Sequence, residues 1–441
     1  MPRKLVILGA AGRDFHNFNV AHRDDESVQV VAFTAQQIPG ISDRRYPPEL
    51  AGPRYPGGIP IIAEHELEHL CRRENVDAVE LAYSDLSHAD AMHLASRALA
   101  CGCDFELLGP GRSMLRSKLP VIAVSAVRTG CGKSQTARWI AGRLSDRGRR
   151  VAVLRHPMPY GDLVRERVQR FGSREDLERA ECTNEEREEY EPYIEANGVV
   201  FAGVDYAAIL AAAEADADLI VWDGGNNDFP FLQPDCHIVL VDALRPDQVA
   251  THHPGEAALR MADVIVVSKT DAASGADTQA ALEHAVAVNP TAQVVRGASP
   301  IALDDPKAVT GRRVLVVDDG PTLTHGGMAY GAGYVAASNA RAAEIVDPRK
   351  TAVGEIAELY HRYPHLGRVL PAVGYSPDEL HALRDTIAAS HAEIVVSGTP
   401  LDLAARIDIP QRIVRARYAF ADVDDPGLGA IVDAFVPKYL T

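Results

Sequence analysis

The chain has 441 residues and 47.5 kDa, which predicts about two to four domains. Hydrophobic residues make up 46% and charged residues 24%, ordinary globular usage that excludes wholesale disorder. Lys and Arg number 45 against 61 Asp and Glu, and the resulting net charge of −16 argues against a nucleic-acid backbone binder while leaving room for a local basic pocket.

The six cysteines form no C-x-x-C pair, so neither a zinc ribbon nor a dithiol redox motif is expected, and reduced thiols in a cytoplasmic protein are. The opening run MPRKLVILGAAG is too short for a signal peptide and ends in glycine. No stretch approaches roughly 18 apolar residues, so no membrane span is expected.

Residues 4–9 (KLVILG), 28–35 (VQVVAFTA) and 77–84 (DAVELAYS) read as strands, with helical spacing in HADAMHLASRALACG between and after them. Strand, helix, strand in repetition predicts a parallel sheet and a Rossmann-like unit over 1–117. Its first turn carries only Gly9 and Gly12. Arg13, Asp14, His16, Asn17 and Asn19 follow where a helix begins, and they read either as a site for a multiply charged anion or as a capped helix with polar residues. Arg44, Arg45 and Arg54 lie in the long Pro- and Gly-rich segment 38–61, a functional loop or inter-subunit arm that could close over such an anion. No acid stands at the end of VQVVAFTA, which argues against a nicotinamide dinucleotide.

A second unit runs over 118–338. VIAVSAV, RVAVLRH, DLIVWDGG, CHIVLVDA and DVIVVSKTD are apolar without alternation, as in a sheet covered on both faces. The first of these strands leads into Arg128-Thr129-Gly130-Cys131-Gly132-Lys133-Ser134 and then an amphipathic helix through Gln135. Glycines there let backbone N–H groups close on phosphate oxygens, and the helix N-terminus adds partial positive charge. Lys133 is expected at the β and γ phosphates of ATP or GTP, and Ser134 on Mg²⁺. The first glycine of the standard spacing is replaced by Val127. The loop therefore resembles the deviant phosphate loops of dethiobiotin synthetase and metallochaperone GTPases, in which Arg128 would be a second basic residue.

Asp223 ends the strand LIVWD and reads as the metal-orienting acid. Asn226, Asn227 and Asp228 follow as ligand contacts or turn formers. Lys269 and Asp271, in SKTD, approximate the guanine-reading motif and mark a base site or a polar strand end. Arg155 and His156 end RVAVLRH, where the fold aims a strand at the γ-phosphate, and are candidates to hold the transferred phosphoryl group. The charged stretch 173–193 reads as a solvated helix or arm. Residues 339–441 form a further α/β segment of unassigned role.

Taken together, GAAGRDFHNFN, RTGCGKSQTAR, RHPMPYGDL, EEREEYEPYI with AGVDY, DGGNNDFPF and DGPTLTHGGMAYGAGYVAA resemble the cyclic 2,3-diphosphoglycerate synthetase family over essentially the whole chain. The resemblance implies an ATP-dependent, Mg²⁺-requiring synthetase that closes an intramolecular phosphoanhydride on a small phosphorylated anion. Arg13 and His16 would then face Arg155 and His156 across a cleft. His325, in the glycine-rich stretch, would supply a loop that either offers N–H groups to the anion or packs closely. The other reading is a regulatory or metallochaperone-type GTPase acting on a protein partner. A homodimer is expected, because deviant phosphate loops of this class work across one.

Overall fold

The computed structural model describes residues 1–35, 44–155, 158, 161–324, 326–372 and 377–439. The architecture is α/β, built on three parallel-rich sheets. In the first, six strands run in the order Arg45–Tyr46, Ile59–Ala63, Val28–Ala35, Arg3–Leu8, Ala78–Leu81, Asp104–Glu106. Arg3 pairs with Val28 and Leu5 with Ala78, both parallel. Residues 44–61 are part of this unit's core: Tyr46 is fully buried against Phe15, Phe18 and Phe33. Arg45 and Arg54 are spent on backbone carbonyls of Gly57, Gly58, Val28 and Arg23, so neither closes over an anion.

The central sheet has nine strands, in the order Gln169–Phe171, Val199–Ala202, Val151–Arg155, Leu219–Asp223, Val121–Ala126, Cys236–Asp242, Val264–Ser268, Gln293–Ala298, Ala421–Asp422. Only the two edge strands pair antiparallel. Val121–Ala126, Leu219–Asp223 and Val264–Ser268 are buried along their whole length, which is what their unbroken apolar runs require. From Val121–Ala126 the chain moves first to one side of the sheet and later to the other. Ligands bind at the carboxyl ends of strands where such a reversal occurs.

The third sheet joins Ile301–Leu303, Arg412–Tyr418, Ile394–Gly398, Arg313–Asp319 and Glu344–Ile345, with Leu370–Ala372 also paired to Arg313–Asp319. This moves the boundary expected at 338. RVLVVDD is the middle of the third sheet, so the sheets divide near residue 300. An apolar parallel strand suits either sheet equally well, and no local residue says which one it joins. The chain then returns. Ala421–Asp422 closes the central sheet, and helix Leu428–Tyr439 docks through Asp433 on Arg143, at 2.7 Å to each of two guanidinium nitrogens.

The charged stretch 173–193 is not a solvated arm. It forms helices Arg174–Arg179 and Asn184–Glu195, each opened by a capping box, Ser173 with Asp176 and Thr183 with Glu186. The second helix buries Arg187, Glu188, Tyr190, Glu191 and Tyr193. Burial is tolerated because charges are matched: Arg187 lies 3.2 Å from Glu191 and 3.0 Å from Glu178.

A two-stranded ribbon, Leu86–Ser87 with His252–His253, ties the first unit to the second. Directly after it, Gly255 opens helix Gly255–Arg260 against the end of the central strand. A Cβ there would stand 2.1 Å from the carbonyl oxygen of Val127 and 2.8 Å from its Cα. These are backbone atoms at the entrance to the phosphate loop, so Gly255→Ala is expected to destabilise by roughly 1–3 kcal/mol and to weaken nucleotide binding. Thermal unfolding with and without ADP checks this, and an unchanged Tm would contradict the close approach.

Candidate active site

The turn after Val121–Ala126 is held from behind. Asn227 Nδ2 donates to Val127 O at 3.0 Å, Arg245 Nη2 to Thr129 O at 2.8 Å, Lys269 Nζ to Gly130 O at 2.6 Å and Ser268 Oγ to Cys131 O at 2.7 Å. With successive carbonyls drawn outward, the opposed N–H groups face inward. Gly130 and Gly132 sit at φ 83° and 98°, a region that costs glycine nothing. Helix Lys133–Ser145 has no side-chain cap, so its first N–H groups are left for an anion.

These residues open on a cavity of 250 Å³ walled by Thr129, Gly130, Gly132, Lys133, Ser134 and Gln135 on the loop side. Lys133 is 7% exposed, and among the described residues its ammonium has no hydrogen-bond partner. Burial pushes its pKa below the usual lysine value, with Asp223 opposing. The carbonyl side of Gln135 is buried and unpartnered, while its amide donates to Ser299 Oγ at 2.5 Å.

Asp223 is fully buried at its strand end. Tyr193 Oη donates to Oδ2 at 2.8 Å, and Arg155 Nη1 lies 3.0 Å from the same oxygen. Oδ1 is buried with no partner. Arg155 also donates to the carbonyls of Asp223 and Gly224 at 3.1 Å and pairs with Glu189. His156 and His325 lie outside the described residues.

The facing wall comes from the third sheet and from the buried charged helix: Asp319, Tyr330, Gly398 and Tyr418, with Glu188 and Glu189. Thr399 Oγ1 donates to Glu188. Burial drives Glu188 well above the carboxylate range, with Asp319 adding to it. Burial likewise raises Glu189 and Asp319. The segment of unassigned role thus contributes Gly398, Pro400 and Tyr418 to the cavity wall. Two signals mark this wall in the sequence. Tyr190 and Tyr193 recur at helical spacing within the acidic run, and Asp318-Asp319 ends an apolar strand in the same way as Asp223.

The expected anion cup of the first unit is absent from this wall. Asp14 Oδ1 fills the turn itself, accepting from Ala11 N at 2.6 Å and Phe15 N at 2.7 Å. Burial pushes Asp14 up to about 7. Gly9 is required there because a Cβ would meet Asp14 Oδ2 at 2.3 Å. Arg13 is buried on Asp228 at 3.0 Å and lies 3.8 Å from the Phe229 ring centroid. His16 bonds Ser113 O at 2.6 Å and stacks on Phe231. Asn17 donates to Glu80 at 2.8 Å, and Asn19 accepts from Tyr46 Oη at 2.9 Å. Arg13, His16 and Asn19 pack the first unit against the second, while Asp14 and Asn17 are spent within the first.

Arg128 is likewise spent, on Asp85 at 2.8 Å, and Asn227 accepts from Asp85 N at 2.8 Å, so the first unit braces the loop from outside. Asn226 does face the cavity and accepts from Thr129 Oγ1 at 3.4 Å. Lys269 lies on the wall beside Leu244 and Ala272, and also pairs with Asp242 at 2.8 Å. Asp271 is exposed and accepts from Ser299 N at 2.8 Å. Cys131 is fully buried, and burial raises its thiol pKa, which leaves it inert.

No family model matches the chain. Over 431 residues it is 54% identical to the arginine synthetase ArcE of Thermococcus kodakarensis, covering 98% of this chain and 96% of that one. The chain belongs to the family of that arginine synthetase. Among solved structures the chain is similar to LpxK from Aquifex aeolicus, solved with ATP, at 13% identity, with 73% and 90% of the two chains covered and a TM-score of 0.43. It is also similar to the hydrogenase maturation factor HypB from Archaeoglobus fulgidus, at 17% identity, 47% and 89% coverage and a TM-score of 0.26. No helix among the described residues is long and apolar enough to cross a membrane.

Burial lowers His16 from 6.5 to about 3, so it is neutral in the fold and protonates first in the unfolded chain. Its contribution to stability is whole above pH 6.5 and is lost as pH falls toward 3. Between pH 7.5 and pH 5 the wild type should lose roughly 2 kcal/mol relative to His16→Gln. Denaturant unfolding of both proteins at the two pH values measures this, and a gap independent of pH would contradict a neutral buried ring.

Proposed function

We propose that this protein is an NTP-dependent synthetase that makes arginine by transferring a phosphoryl group to an oxygen of a ureido amino acid and letting ammonia displace it. The observation that carries the reading is the cavity itself. One wall offers backbone amides and Lys133 to phosphates, while the opposite wall offers ionisable carboxyls and a tethered arginine. The name of the 54% identical relative agrees with it.

The chemistry follows from the product. A guanidinium carbon made from a ureido carbon must lose its oxygen, which is a poor leaving group. Transfer of the γ-phosphoryl from ATP or GTP breaks the Pγ–O bond to the diphosphate and forms a new P–O bond on that oxygen. Ammonia then forms the C–N bond and phosphate leaves with its electron pair, so ammonia, nucleoside triphosphate and ureido acid give arginine, nucleoside diphosphate and phosphate.

Lys133 and the loop amides hold the β and γ phosphates, and Arg155, kept in place by Asp223 and Glu189, lies beside the path of the transferring group. The Glu188 and Asp319 carboxyls take the protons that ammonium must release to become a nucleophile. Lys269, Leu244 and Ala272 form the base end.

Mg²⁺ fits the residues present. Asp223 Oδ1 is a buried oxygen without a partner, and the Ser134 hydroxyl is on the cavity wall. Among the described residues no group of three or more His, Cys, Asp or Glu is placed to hold a metal, so Ser134 and Asp223 would be its protein contacts. When bound, the ion supplies charge neutralisation for the phosphates.

Three acids on the acceptor wall are a poor match for a diphosphoglycerate, because they bring no positive charge to neutralise its phosphates. A regulatory GTPase has no use for them at the γ-phosphate end. The test is nucleotide turnover with ammonium and a panel of acceptors. The expected result is nucleoside diphosphate and arginine formed in equal amounts with the ureido analogue of arginine. Lys133→Ala should abolish the activity. Glu188→Gln should lower kcat about a hundredfold or more while leaving nucleotide KM within twofold. Equal turnover with 2,3-diphosphoglycerate, or turnover indifferent to every small acceptor, would overturn the reading.

A further inference from the structure

A second cavity, of 440 Å³, adjoins the first and shares Arg138, Pro400 and Tyr418 with it. Arg138 therefore stands at the junction of the two chambers. The other arginines on these walls are engaged. Arg155 is held by Asp223 and Glu189, Arg415 donates to Pro400 O at 2.8 Å, and Arg417 pairs with Asp304 at 2.6 Å. Among the described residues the Arg138 guanidinium has no hydrogen bond and no ion pair. A half-buried planar fork without a partner, beside two tyrosines, is suited to a carboxylate it can grip with two parallel bonds.

Its place along the helix sets it apart from the phosphate end. Arg138 is five residues beyond Lys133 on helix Lys133–Ser145. At about 1.5 Å per residue the two positions are offset by roughly 7.5 Å along the axis. The same five-residue step turns Arg138 by roughly 140° round the axis from Lys133. An extended arginine spans six bonds from its guanidinium carbon to its carboxylate carbon, also about 7 Å. Lys133 and Arg138 line the same cavity, so a substrate of that length with its reacting oxygen near the phosphate end can extend its carboxylate toward the junction where Arg138 stands.

We infer that Arg138 is the anchor for the α-carboxylate of the amino-acid substrate, and that it selects amino acids over decarboxylated amines of the same length. The inference rests on the arginine-forming reading and adds the residue that recognises the far end of the molecule. Arg138 touches no reacting atom; it fixes the distance between the carboxylate and the phosphoryl donor.

The experiment is calorimetric titration of the full chain, loaded with ADP, by arginine and by agmatine, which lacks only the carboxylate. Wild type is expected to bind arginine at least tenfold more tightly than agmatine. In Arg138→Gln, arginine should fall to the level of agmatine, while agmatine and ADP stay within twofold of wild type. Arg138→Lys should recover part of the preference. In turnover, Arg138→Gln should raise KM for the ureido acid at least tenfold with KM for ATP unchanged.

Agmatine binding wild type as tightly as arginine would overturn the assignment while leaving arginine synthesis intact. So would Arg138→Gln weakening ADP, arginine and agmatine alike, which is the result expected if Arg138 serves the nucleotide. Failure of wild type to bind either ligand or to form arginine from any ureido acceptor would sink the arginine reading, and the anchor with it.

Discussion

The site depends on four side chains that pull the carbonyls of one turn outward. Asn227, Arg245, Lys269 and Ser268 take Val127, Thr129, Gly130 and Cys131 in succession. A peptide plane turned by its oxygen presents its N–H on the other side, and an array of such N–H groups at a helix start is an anion site. The loop is therefore preorganised before any phosphate arrives, and little reordering remains to be done on binding. Arg245 carries this further. It also donates to Gly326 O at 3.1 Å, so the glycine-rich segment of the third unit is tied to the same turn.

The three units divide the work along physical lines. The first is a brace: Asp85 holds Arg128 and the N–H of Thr129, and Arg13 is buried on Asp228. A buried ion pair of this kind fixes geometry more than it adds stability, since desolvation offsets most of its attraction. The second unit supplies the glycine turn and the helix that carries Glu188 and Glu189. The third brings Asp319 up to face them, and burial raises all three carboxyls above the usual carboxylate range.

Much of this was legible in the residues. The run from Val121 through Ser134 carries strand, turn and helix in one stretch, and short-range order is what sequence patterns report well. Asp223 and Lys269 were legible for the same reason, as polar residues ending apolar strands. The partner of the loop was not. Arg13, His16 and Asn17 look like a cationic cup because the sequence lists their charges but not their neighbours. Asp14, Asp228 and Glu80, which neutralise or engage them, lie in the same fold but mostly at long range in the chain. The converse holds for 173–193, where charge alone suggests solvent and paired charge permits burial. The three-sheet division escaped for a similar reason, since RVLVVDD is equally apolar whichever neighbours it takes.

The claim on which the account turns is that the oxygen removed from the substrate leaves on phosphorus. The ureido analogue of arginine labelled with oxygen-18 at its carbonyl, incubated with the protein, ATP and ammonium, tests it by phosphorus NMR of the released phosphate. The account predicts one labelled oxygen in each phosphate for each arginine formed. Arginine formed with unlabelled phosphate would contradict it.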